Sequence, residues 1–124
     1  CWVPLTDTTI DNGCPWVAPG LHRLGTLAHE WVEPLGHQCL DDPTGAVAVP
    51  ARAGDVVVFS SLTPHLTGPN TTGEVRKTYI LQYAPDGAER LDGDPAAGGP
   101  TGRTPQSDPD RQYPVVVGGV PVGA

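Results

Sequence analysis

The sequence has little positive charge, few aromatic residues and no long apolar run. Its only lysine is Lys77, and Lys+Arg 7 against Asp+Glu 14 gives a formal net charge of −7. So acidic a chain is a poor match for nucleic acid or anionic membrane surfaces, which both need clustered basic side chains. No apolar run approaches the ~20 residues that span a bilayer, and no signal peptide is visible.

Cysteine is scarce, and its spacing indicates no disulfide framework. Cys1, Cys14 and Cys39 cannot all pair within the chain, and none belongs to a CxxC motif. This favours reduced thiols in a cytoplasmic protein. The chain begins at Cys1, with no methionine before a strand-like stretch, so we expect a fragment cut inside a fold.

Glycine and proline are abundant but unevenly distributed. The 16 glycines and 15 prolines approach the level expected of flexible sequence, and many of them follow Pro85. We therefore predict an all-β domain over residues 1–85 and a mostly irregular extension over residues 86–124. Within the extension, valine-rich pieces around Gly118-Gly119 predict a terminal hairpin.

Short apolar runs separated by turn residues predict β-strands in the first domain. The early strands are expected over residues 2–5, 14–18 and 45–50. Between the first two, Asp11-Asn12-Gly13 predicts a hairpin turn in which Gly13 supplies a positive φ. Residues 21–36 should form a loop with a short helical turn.

The segment over residues 54–83 carries the pattern that bears most directly on function. Two apolar runs, 56–59 and 78–83, flank a connection rich in Gly, Pro, Asn and Thr, which predicts an antiparallel pair of strands. If they pair across that connection, His65 and Arg76 approach the same end of a sheet, with Thr67 on the His65 face. An imidazole, a hydroxyl and a guanidinium there could hold a metal and a carboxylate.

The order His65, Thr67, Asn70, Arg76 resembles the distal motif of phytanoyl-CoA dioxygenase-like enzymes. These are iron(II)- and 2-oxoglutarate-dependent oxygenases with a double-stranded β-helix (jelly-roll or cupin-like) fold. In that family a small hydroxyl residue stands two positions after a strand-end histidine. An asparagine often follows, and then an arginine eleven positions after the histidine.

A second block, residues 1–29, strengthens the resemblance. It is similar to the family's Trp strand, its Asn-Gly turn and its Pro-Gly-Ser/Thr-His segment, although Leu21 replaces the hydroxyl residue before His22. The resemblance covers residues 1–85. It implies that the chain is the C-terminal part of such a domain, half of the jelly roll with a loop and short helix as its lid.

The resemblance also implies roles for four residues. His65 would be the distal iron ligand, and Arg76 would bind the far carboxylate of 2-oxoglutarate through two parallel N–H···O bonds. Thr67 would add a hydroxyl bond to that carboxylate. Trp2 would pack on 2-oxoglutarate, with plain core packing as its alternative. Fe(2+) would be the cofactor, and 2-oxoglutarate and dioxygen would be consumed in hydroxylating a small organic substrate.

The family's proximal iron ligands are absent from this sequence. Such a site needs two histidines and one carboxylate. In the family the first histidine and the carboxylate come together as His-x-Asp/Glu. No acidic residue stands two positions after His22, His29, His37 or His65. We expect that motif upstream of Cys1, and hence an isolated fragment without turnover. His29 and His37 are interpreted as exposed loop residues.

Other function classes stay open at this stage. One is a cupin-like binding module with the same barrel and no redox chemistry. Another is an interaction protein in which the Gly/Pro tail is the working part. A third is a halogenase variant of the oxygenase, where a small residue replaces the carboxylate ligand. Neither the substrate nor the oligomeric state can be inferred from the residues.

Overall fold

A computed structural model of the chain describes residues 1–34, 36–93, 99, 101–106 and 113–123. They belong to two compact units, Cys1–Tyr83 and Ala84–Ala124. Over the described residues the regular structure consists of eleven short strands and one 3-10 helix, Leu21–Leu24, so the mainly-β prediction is confirmed. No helix in this part of the chain has the length and apolar character needed to cross a bilayer.

The first unit contains seven strands of two or three residues each. They are β1 (Trp2–Pro4), β2 (Pro15–Val17), β3 (Glu30–Val32), β4 (Gly36–Gln38), β5 (Val47–Ala48), β6 (His65–Thr67) and β7 (Thr78–Ile80). The 3-10 helix lies between β2 and β3, where a short helical turn was expected. The β3–β4 pair was not predicted, because this stretch lacks the run of apolar residues by which a strand is recognised.

Strand β1 is flanked on both sides by later parts of the chain. Trp2 is the antiparallel partner of Ile80 in β7, and it exchanges backbone hydrogen bonds of 2.8 and 2.9 Å with Val57. The predicted direct pairing of runs 56–59 and 78–83 is therefore wrong, because β1 lies between them. This long-range arrangement buries Trp2 to 5% exposure, whereas a local hairpin would leave β1 without partners.

A three-stranded sheet, ordered β5-β2-β6, holds the histidine end of the motif. In β2, Val17 is opposite His65 and Pro15 is opposite Thr67, while Trp16 is opposite both Ala48 and Leu66. Cys14 and Ala18 are buried at the two ends of β2. This burial anchors the central strand and so fixes where β6 presents its side chains.

The turn before β2 has the local chemistry that the sequence predicted. Gly13 has a φ of +87°, and the Thr9 backbone N–H donates to the Asn12 side-chain oxygen at 2.8 Å. The turn does not close a hairpin, however, because β1 and β2 belong to different sheets. Turn residues identify where the chain reverses, but the strands that pair are chosen by burial.

The described residues of the second unit form four strands in two antiparallel pairs. Strand β8 (Glu89–Asp92) pairs with β9 (Gly102–Pro105), and β10 (Val116–Val117) pairs with β11 (Val120–Pro121). The terminal hairpin is confirmed, with positive φ at both turn residues, Gly118 and Gly119, as a type I′ turn requires. The β8–β9 pair was not predicted, and the mostly irregular character of the extension stays a prediction.

Polar side chains explain why composition alone missed the β8–β9 pair. Glu89 and Arg103 form a cross-strand ion pair of 2.9 Å. The Asp92 carboxylate accepts hydrogen bonds from Thr104 and Arg90, and these two donors hold its pKa below its usual value. The expected flexible segment also includes residues 94–98, 100 and 107–112, which lie outside the described residues.

Candidate functional site

His65 has the environment of a histidine that could ligate a metal. It is exposed at the start of β6, its ring centroid lies 4.6 Å from that of Phe59, and its Nδ1 is 2.9 Å from the Thr63 carbonyl oxygen. A carbonyl can only accept, so Nδ1 carries the proton and Nε2 keeps a free lone pair. A backbone carbonyl that orients the ring in this way is a common feature around ligating histidines.

Arg76 is an arginine whose donors are only partly satisfied. Its Cζ lies 5.8 Å from the centre of the Trp2 ring, within the range of a cation–π contact. Nη1 donates to the Thr78 hydroxyl at 3.4 Å, whereas Nε is buried without a partner in the described part of the chain. A buried guanidinium nitrogen without an acceptor is costly, so an anionic ligand would find prepared donors here.

No acidic side chain neutralises Arg76 among the described residues. The ion pairs found there join Arg90 to Asp92 and Arg103 to Glu89, all in the second unit. Arg76 therefore has no acidic partner among the described residues, although the whole chain carries twice as many acidic as basic residues.

Trp2 and Thr67 were both predicted to contact 2-oxoglutarate. Trp2 is a core residue of β1, and its ring also supports the Arg76 guanidinium, so the two interpretations of Trp2 are compatible. Thr67 is exposed at the end of β6. The hydroxyl that bonds to Arg76 is that of Thr78, two residues further along the chain. The role of Thr67 stays a prediction.

The connection between His65 and Arg76 is held in shape by Asn70. Its side-chain oxygen accepts from the Thr72 backbone N–H at 3.0 Å, and its amide donates to the Glu74 carbonyl at 2.8 Å. Asn70 thus organises the loop and is not a site residue.

His65 and Arg76 lie on different sheets, β6 in one and the residues before β7 in the other. The prediction that His65 and Arg76 lie at one end of a single sheet is wrong, because β6 pairs with β2 whereas β7 pairs with β1.

A cleft of about 270 Å³ opens beside His65, and two further histidines, His29 and His37, line it. Their rings meet edge to face with centroids 6.4 Å apart, and the Trp31 ring packs against His37 at 5.2 Å. Both histidines are exposed, as expected, but His37 lies in strand β4 and not in a loop, because β4 pairs with β3. Their place beside His65 was missed, although His29 and Trp31 show the alternation of a strand that could have indicated it.

The histidines do not complete a metal site. Over the part of the chain that the structure describes, no three His, Cys, Asp or Glu side chains come together to hold a metal ion. His65 therefore fits the role of a single ligand. A three-ligand iron site would need its other two ligands from outside the described residues.

Comparison with known proteins gives the family. Residues 1–78 match the family model for phytanoyl-CoA dioxygenase (PhyH). The chain is 33% identical over 87 residues to methylphosphonate hydroxylase from Gimesia maris, covering 67% of this chain and 32% of that protein. It is 27% identical over 86 residues to phytanoyl-CoA dioxygenase from Arabidopsis thaliana, covering 64% and 30%.

A third relative is the phytanoyl-CoA dioxygenase domain-containing protein 1 homolog of Dictyostelium discoideum. It is 26% identical over 92 residues, covering 66% of this chain and 33% of that protein. The chain thus spans about a third of the length of these curated relatives. No solved structure is significantly similar to it. Because the family model covers well over half of the chain and includes both His65 and Arg76, the chain belongs to the phytanoyl-CoA dioxygenase family.

Proposed function

We propose that the chain is the C-terminal part of an iron(II)- and 2-oxoglutarate-dependent dioxygenase that hydroxylates a small organic substrate. Family membership supports the reaction class. The single observation that carries the proposal is the buried Nε of Arg76, which has no protein partner in the described residues. A dicarboxylic cosubstrate supplies the kind of acceptor that this nitrogen lacks.

Arg76 binds the far carboxylate of 2-oxoglutarate in this proposal. The Trp2 ring supports one face of the guanidinium, and the Thr78 hydroxyl accepts from Nη1, so the remaining N–H groups are directed to the ligand. A planar guanidinium can bind both carboxylate oxygens at once, which a lysine ammonium cannot reproduce. Thr67 would add a hydroxyl donor from the end of β6.

His65 supplies the distal ligand of the metal through Nε2. The Thr63 carbonyl fixes the tautomer, and the Phe59 ring restricts rotation of the imidazole. Bound iron(II), together with 2-oxoglutarate, supplies the activation of dioxygen that hydroxylation requires. We propose that the other two ligands come from outside the described residues and that the complete domain is a jelly roll. A cytoplasmic location is part of the proposal, since all three cysteines are free thiols.

The cleft beside His65 is the proposed substrate site. Its volume of about 270 Å³ lies just below the ~300–1,000 Å³ typical of small-molecule pockets. The relative from Gimesia maris is named for hydroxylating methylphosphonate, which is a substrate of suitable size. A binding module without redox chemistry is the second candidate, because the described residues place one candidate ligand, and not three, at the metal position.

The test uses a polypeptide that carries this chain within the full length of its relatives. We expect 2-oxoglutarate consumption to require ferrous iron and to be abolished by His65→Ala. Arg76→Ala should raise the dissociation constant of 2-oxoglutarate about 10- to 100-fold, because a hydrogen bond to a charged group contributes about 1.5–3 kcal/mol. Arg23→Ala, which alters an exposed arginine of the 3-10 helix, is the matched control. Unchanged 2-oxoglutarate affinity in R76A would contradict the assignment of Arg76, and iron-independent binding without consumption would favour the binding module.

A further inference from the structure

The hairpin formed by β3 and β4 brings two histidines to one wall of the cleft. His29 directly precedes β3, and His37 lies in β4 opposite Trp31. The edge-to-face contact of the two imidazoles, and the packing of Trp31 on His37, give these rings a defined arrangement although they are exposed. Each imidazole carries at least one N–H donor in either protonation state.

The cleft is free of acidic side chains, although the chain as a whole is acidic. The described residues that line it are histidine, serine, threonine, cysteine, leucine, proline and glycine, with no Asp or Glu. Fourteen acidic residues are distributed over 124 positions, and none of those that the structure describes lines the cleft. A lining rich in donors and without carboxylates favours a ligand that carries negative charge.

The apolar part of the lining and the size of the cleft further restrict the kind of ligand that fits. Leu27 and Leu62 provide apolar surface beside the polar side chains. A volume of about 270 Å³ suits a small acid with a short carbon chain. His65 lines the same cleft, so a small acid held by His29 and His37 would share that cleft with His65.

We propose that His29 and His37 form a subsite for the oxyanion group of a small acid substrate, with a carboxylate and a phosphonate as the two chemistries that fit. The two imidazoles determine specificity by donating N–H bonds to that group, and Trp31 positions His37. The assignment of the bound acid as the substrate rests on the proposed function, since it needs His65 as the metal ligand. The binding of an acid to His29 and His37 does not depend on the proposed function.

The test is an NMR titration of the isotopically labelled 124-residue chain, without metal or 2-oxoglutarate. Methylphosphonate and acetate are the probes, and acetamide is the uncharged match of acetate. We expect both acids, but not acetamide, to shift the imidazole signals of His29 and His37 in a saturable way. His29→Ala and His37→Ala should each weaken binding of the favoured acid about tenfold or more. Tighter binding of acetate would indicate a carboxylate ligand, and tighter binding of methylphosphonate would indicate a phosphonate ligand.

Two further variants make the result decisive. His22→Ala removes an exposed histidine of the 3-10 helix outside the cleft and should leave the affinity unchanged. His37→Gln keeps an N–H donor and should lose less affinity than His37→Ala, and the backbone spectrum of each variant reports its fold. Wild-type affinity in the H29A/H37A double variant would overturn the subsite.

Repeating the titration in Arg76→Ala separates this inference from the proposed function. Arg76 is itself expected to bind a carboxylate, so acetate could occupy that position instead. If the shifts of His29 and His37 persist in R76A, the subsite stands whatever happens to 2-oxoglutarate binding. If they disappear with Arg76 while the fold is kept, the acid binds at Arg76 and the subsite is wrong.

Discussion

Position 13 requires glycine for two reasons: the conformation of its own backbone and its close contact with a distant loop. Its φ of +87° favours glycine, and a Cβ placed there would lie only 2.5 Å from the Gly68 carbonyl oxygen. Nearby, the Thr71 backbone N–H and hydroxyl donate to the Asp11 carbonyl at 2.8 and 2.9 Å. The early turn therefore supports the connection between His65 and Arg76.

We predict that Gly13→Ala destabilises the chain by about 2–4 kcal/mol. A left-handed backbone costs a non-glycine residue roughly 1–2 kcal/mol, and crowding against fixed backbone adds about 1–3 kcal/mol. Gly20→Ala is the matched control, because Gly20 has a φ of +85° but no atom within 4 Å of its Cβ position. Urea denaturation of both variants measures the difference, and equal losses would show that the contact with Gly68 contributes nothing.

At the scale of elements, a buried threonine joins the segment between β1 and β2 to the residues after β5. Thr8 is 2% exposed, and its backbone N–H donates to the Ala51 carbonyl at 2.8 Å. Its hydroxyl also donates to that carbonyl at 3.1 Å and lies 3.2 Å from the Ala51 nitrogen. This bridge lies outside the strands but links segments 43 positions apart, so it ties the segment after β1 to the segment after β5.

We expect Thr8→Val to lower the free energy of unfolding by about 1–2 kcal/mol. Valine matches the shape of threonine but leaves the Ala51 groups with fewer buried partners, which carries a desolvation penalty of about 1–3 kcal/mol at most. Thr8→Ser keeps the hydroxyl and loses only a methyl group, so it separates the hydrogen bonds from packing. Thermal or urea unfolding gives the values, and a T8V variant as stable as wild type would contradict the role of the bridge.

At the scale of the whole molecule, the first unit buries little apolar surface. The buried apolar side chains in the described residues include those of Trp2, Pro4, Cys14 and Ala18, whereas Val58 and Val75 are 71% and 72% exposed. Small apolar cores give small margins of stability. We infer that the unit is marginally stable by itself and that its metal ligation is incomplete.

The corresponding prediction concerns calorimetry of the 124-residue chain with manganese(II) and 2-oxoglutarate. With His65 as the one candidate ligand that we assign among the described residues, we expect weak binding, no stoichiometric metal site and no turnover. His65→Ala should remove what binding there is. A tight 1:1 site in the chain would mean that His29 or His37 ligates the metal, and it would contradict both their assignment to substrate and the need for ligands from elsewhere.

The local features of the fold could be predicted because they depend on neighbouring residues. Gly13 and the Gly118-Gly119 pair have the positive φ that their turns require, and β1, β2 and β11 lie within apolar runs of the sequence. The order of His65, Thr67, Asn70 and Arg76, together with the block over residues 1–29, indicated the family, and the match of residues 1–78 to the family model confirms it. These are consequences of steric restriction, side-chain shape and spacing along one chain.

Pairing and proximity depend instead on which surfaces bury one another across the fold. Trp2 is covered when Val57 and Ile80 pair on either side of it, and this separates two runs that a local hairpin would join. The same long-range packing puts Arg76 over Trp2, and the β3–β4 pairing puts His37 beside His29 in the cleft of His65. Spacing along the chain thus determined which family the sequence resembles and which side chains became candidates, and only the tertiary structure decided which of them meet, because burial and hydrogen bonding select partners without regard to sequence distance.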